Sequence, residues 1–281
     1  TNGSGNATVV NDAGLDFAAS TVGGNLAATA TTGNMTDSGA LTITGTTTLT
    51  TSANDATIAL NTTTNAFTGA VTITTNDNSG TDADVTIDGG TTALVLAAST
   101  IDGDLTLTSG NASGITDSGT VTVGGNLAAT TDANNGLINL GTLAVDGTVA
   151  LATHGNGAAT VVNDAGMNFA ASTVGGNLAA TATTGNMTDS GNLTIAGTSS
   201  FTTSATDATI TLNNANAFGT VALNTTGSSG NATVVDASGL NLAASTVGGN
   251  LIATATTGNI VDSGVLTVAG TSSFTTSANN A

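Results

Sequence analysis

The feature that most constrains this chain is that it repeats itself four times. The string AASTVGGNL occupies residues 18–26, 170–178 and 243–251, and a diverged copy, AASTIDGDL, occupies 97–105. In chain order the copies lie 79, 73 and 73 residues apart. A second marker, Asp-Ser-Gly followed by an alternating stretch, starts at Asp37, Asp117, Asp189 and Asp262, with steps of 80, 72 and 73. The two markers agree on four units, placed at about 1–74, 75–153, 154–226 and an incomplete 227–281. A fixed period of this kind signals stacked supersecondary units that share one continuous core.

Inside each unit the apolar residues alternate with Thr, as in Leu41 and Ile43, Val71 and Ile73, or Leu105 and Leu107. That period of two, rich in β-branched residues, predicts half-buried strands. Helix formers such as Glu, Lys, Arg and Gln are missing, and Gly or Asn interrupts every few residues. A finer echo relates Val22 to Ile43, Val174 to Ile195 and Val247 to Val268 at 21 residues, and Thr100 to Thr122 at 22. Coils of roughly 18–21 residues follow, about four to a unit and some fourteen in all, stacked at the sheet spacing of about 4.8 Å. The expected fold is all-β, a right-handed parallel β-helix (β-solenoid), continuous over residues 1–281.

The internal copies also point to the core. Phe17, Phe169 and Leu242 occupy matching places, as do Leu49, Phe201 and Phe274, and so do Phe67 and Phe218. Exchange limited to Phe and Leu is what a packed interior tolerates, so all six Phe are assigned to the core. The Ala-Ala pairs of the AAST phrase are expected to fill narrow corners.

Composition then excludes whole classes of function. There are 18 acidic residues, all Asp, and no Lys or Arg, giving a net charge of −18. Side chains of permanent opposite charge cannot pair, and no cationic footprint exists for nucleic acid or an anionic membrane. With no Cys there is no disulfide, thiolate zinc site or thiol nucleophile. No apolar run reaches membrane-spanning length, so membrane insertion is not expected. Pro, which would remove a ladder donor from a central strand, is absent too. The chain does not begin with Met and starts and stops partway through a unit, which suggests either a window on a longer array, the preferred reading, or a subunit that stacks head to tail.

The GGNL, DSGxLTI and TTTLTTS phrases, as in Gly23 to Leu26, Asp189 to Ile195 and Thr46 to Ser52, resemble the β-strand repeats of giant filamentous-haemagglutinin-like surface proteins and related adhesins of Gram-negative bacteria. The resemblance runs over essentially the whole chain. It implies a right-handed parallel β-helix stalk, exported to the cell surface or matrix, that forms fibres and mediates attachment to a host or surface receptor. The family's secretion-signal and distal binding domains have no counterpart here.

Candidate chemistry is sparse. Asp82 with Asp84, and Asp102 with Asp104, have the i, i+2 spacing that would put two carboxylates on one strand face, and these four are the candidate ligands for a divalent cation such as Ca²⁺. The same pairs could suit acid–base work on polysaccharide, but the cations that help such enzymes are missing, and no catalytic residue is assigned. Asp37, Asp117, Asp189 and Asp262 each precede Gly by two residues and read as Asx-type turns. His154, in Thr-His-Gly-Asn-Gly, reads as a solvent loop. Thr-x-Thr pairs (Thr42 and Thr44, Thr72 and Thr74, Thr106 and Thr108) resemble the faces of ice-binding solenoids, the alternative function. The expectation is a non-enzymatic, extracellular fibre or adhesin-stalk segment that self-associates head to tail or laterally, with no firmly assigned cofactor.

Overall fold

The computed structural model describes residues 1, 3–79 and 82–278. They form two compact units, Thr1–Gly147 and Thr148–Ala281. Both are all-β and parallel, with about 13 solenoid turns between them and repeats of about 70 residues. The reason is local: strands such as Leu26–Ala30 and Leu105–Ser109 bury every second residue and expose or half-expose the others, so each must stack one inward row on the rows above and below it.

The 21-residue echo in the sequence is the stacking register itself. Val22 lies against Ile43, Val174 against Ile195 and Val247 against Val268, while Thr100 lies against Thr122. Coil length is not constant, however. The step is 19 residues from Ala7 to Leu26, 24 from Thr47 to Val71 and 27 from Ile58 to Val85, so the expected 18–21 residues is too short for many coils. Corners absorb the difference, since lengthening a surface loop costs little and leaves the strands in register.

In the second unit the strands fall into three columns. The first holds Ala159–Asn163, Leu178–Ala182, 199–203 and 221–224. The second holds Met167–Phe169, Met187–Asp189 and 210–212. The third holds Ser172–Val174, 193–195 and 217–218. Ala232–Asp236, the next copy of Ala159–Asn163, then stacks on 210–212 in the second column. Ten segments over three columns make three and one third turns, so the repeat advances by one column each time it recurs. The first unit takes the same step. Ala7–Asn11 starts the column of Leu26–Ala30 and Thr47–Asn54, whereas its later copy, Val85–Asp88, continues that of Leu15–Phe17, Met35–Asp37 and Ile58–Leu60.

The interior is mainly apolar, with a minority of buried Thr, Ser, Asn and one Asp. Phe67, Phe169 and Phe201 are fully buried, and Phe17 and Phe218 nearly so. Phe169, Phe201 and Phe218 stack edge to face, with centroids 6.1 and 5.7 Å apart, the arrangement that ring quadrupoles favour. Phe274 departs from the sequence expectation and is 50% exposed. Its counterpart Phe201 is covered by Leu223 of the next coil, but among the described residues no later strand lies over Ser272–Thr276.

Candidate functional site

Three recurrent phrases carry polar groups that are candidates for function, and each is engaged between coils. The carboxylate of Asp37 accepts the backbone N–H groups of Asn61 (3.1 Å) and Thr62 (3.3 Å) and the amide of Asn65 (2.6 Å). Asp189 does the same with Asn213 (3.0 Å), Asn214 (3.2 Å) and the Asn216 amide (2.7 Å). Asp117 takes Gly141 N–H (3.0 Å), Thr142 N–H (2.7 Å) and the Thr142 hydroxyl (2.9 Å). These are clamps on the coil that follows and not the Asx turns their spacing suggested. A carboxylate has acceptor capacity for several donors, and here it satisfies backbone groups at a corner where the ladder is interrupted.

Asn65 and Asn216 complete these clamps. Both are buried, and their Oδ1 atoms accept the N–H of Leu41 and Leu193 at 2.7 Å. Sequence reasoning passed over them, although the recurrence of Asn-Ala-Phe at 65–67 and 216–218 was a usable signal.

The Gly of each Asp-Ser-Gly lies on the Ala-Ala corner of the coil before. A Cβ on Gly39, Gly191 or Gly264 would come 2.3–2.4 Å from the backbone nitrogen of Ala19, Ala171 or Ala244. The Ser of AAST is the joint where the column step occurs. Ser99, Ser172 and Ser245 accept the N–H of Ile73, Leu151 and Leu223, each at 3.0 Å, and donate to the carbonyl two residues back.

The Gly-Gly-Asn phrase builds a side-chain ladder. Asn6 Oδ1 accepts Asn25 N–H and Asn25 Oδ1 accepts Thr46 N–H, and Asn231, Asn250 and Thr271 repeat the chain. The candidate metal residues fall largely within this device. Asp84 Oδ1 accepts Asp104 N–H at 2.8 Å, and Asp104 Oδ1 accepts Asn126 N–H at 2.6 Å. Asp102 accepts Asp77 N–H at 2.9 Å, and the backbone carbonyl of Asp82 accepts Asp84 N–H. Neither pair lies on a strand; both occupy corners, ahead of Val85–Asp88 and Leu105–Ser109. Among the described residues no three His, Cys, Asp or Glu side chains converge as a metal-binding group.

Two further acids perturb each other. A hydrogen bond between the side chains of exposed Asp55 and Asp77 raises the Asp55 pKa, while Ser79 N–H holds Asp77 below its ordinary value. Burial pushes Asp88 up, with Gly90 N–H opposing it. Asp236 is wholly buried and accepts Phe218 N–H, Ser238 N–H and the Ser238 hydroxyl. His154 lies in an exposed turn, its carbonyl accepting Gly157 N–H. The Thr-x-Thr pairs at Thr42, Thr72 and Thr106 sit on three different columns of the first unit, so they do not stack into one face. No helix of the described residues is long and apolar enough to cross a membrane.

A family model described as repeats of unknown function (DUF5649) matches residues 4–74, 82–152, 156–225 and 229–281. No curated protein and no solved structure matches the chain.

Proposed function

The chain belongs to the DUF5649 repeat family, and from that premise we propose that it is a structural, non-enzymatic segment of an extracellular fibre or adhesin stalk on a bacterial surface. One observation carries the reading: the phrases that define the repeat, Asp-Ser-Gly, Gly-Gly-Asn and Ala-Ala-Ser-Thr, direct their polar groups and close contacts at the neighbouring coil. Selection acting on stacking, with each coil holding the next, is what a load-transmitting rod requires. Self-association and attachment to a host or surface receptor belong to the same proposal. Ca²⁺ enters it only as a counter-ion to the −18 chain, which would lower repulsion between neighbours.

The test is electron microscopy and fibre diffraction of the purified chain. Rods with an axial spacing of about 4.8 Å are expected; globular particles lacking that spacing would sink the proposal. Release of reducing ends from a polysaccharide panel would overturn its non-enzymatic part.

A further inference from the structure

We draw no further inference here: the strongest candidate, the open apolar end of the second unit's last coil, where Val261, Leu266 and Phe274 border a cavity beside Asp262, is bare because no later strand lies over it among the described residues, and nothing in the structure shows what covers it.

Discussion

Thr47 and Thr51 lie on one strand, Thr47–Asn54, point inward, and are each 0% exposed, yet they should respond to the same substitution with opposite signs. The Thr51 hydroxyl donates to the Ala56 carbonyl at 3.2 Å. That of Thr47 has no partner, and it is stacked between Leu26 and Val71 of the adjacent coils. Thr→Val replaces a hydroxyl with a methyl of nearly the same size. At Thr47 it removes a buried unsatisfied polar group, worth about 1–3 kcal/mol, so Thr47→Val should stabilise by that amount. At Thr51 it removes a net-favourable hydrogen bond and strands the Ala56 carbonyl, so Thr51→Val should destabilise by about 1–2 kcal/mol. Most core substitutions destabilise, which makes the gain at Thr47 diagnostic. Urea unfolding reads both, as a shift in midpoint at constant slope. Repeat arrays need not unfold in one step, so native-state amide exchange in this strand should be measured alongside. Ser199 stands at the matching place between Leu178 and Val221 with an equally unpartnered hydroxyl, and Ser199→Ala should also not destabilise. A lowered midpoint for Thr47→Val would refute the reasoning.

Asp189→Ala strands two backbone N–H groups and the buried Asn216 amide, so it should cost about 2–4 kcal/mol, and Asp189→Asn less, by urea midpoint. Gly191→Ala should disrupt stacking, because its Cβ would come 2.3 Å from Ala171 N; Gly141→Ala, whose nearest neighbour would be Asp117 Oδ1 at 3.9 Å, should be tolerated, and circular dichroism melts of the pair decide it. Asp88 has a folded-state pKa above its ordinary 3.8, so its favourable contribution is present below that value and is lost as pH rises through the folded pKa. Asp88→Asn should therefore raise the midpoint at pH 7 and have a vanishing effect below about pH 3.8; a stabilisation that persists unchanged in acid would contradict the burial argument.

What the sequence made legible was whatever has a period. Alternation identified strands, the echo of Val22 in Ile43 identified the stacking register, and internal exchange of Phe for Leu assigned six Phe to the core, five of which are buried. Less legible were effects that depend on which strands become neighbours. Asp189 meets Asn213 and Asn214, 24 and 25 residues away, and nothing in the local Asp-Ser-Gly distinguishes that contact from an Asx turn. Likewise the i, i+2 spacing of Asp82 and Asp84 implied a shared strand face only if a strand were there, and the structure has a corner. Phe274 matches Phe201 in sequence but lacks its cover. The one-column advance was hidden because alternation fixes which way a side chain points, not how many strands close a turn.

That advance bears on how a chain of −18 tolerates its charge. At about 4.8 Å per coil, three and one third turns separate equivalent carboxylates by roughly 16 Å along the axis, and each step also turns them to the next column. That is beyond the Debye length of about 8 Å at 0.15 M ionic strength. Repeated Asp such as Asp189 and Asp262 therefore interact little at physiological salt. The exception is a patch peculiar to the first unit, where Asp55 and Asp77 are close enough to perturb each other and Asp84 and Asp104 stack on successive coils. Raising salt from about 0.01 to 0.15 M shortens the Debye length from about 30 to 8 Å, so it should increase amide protection in Thr47–Asn54, Val71–Asn76 and Val85–Asp88. Leu178–Ala182 and Leu251–Ala255 should change little. Equal gains in both sets would mean that repulsion is spread along the whole charge array, and that the column step does not insulate one repeat from the next.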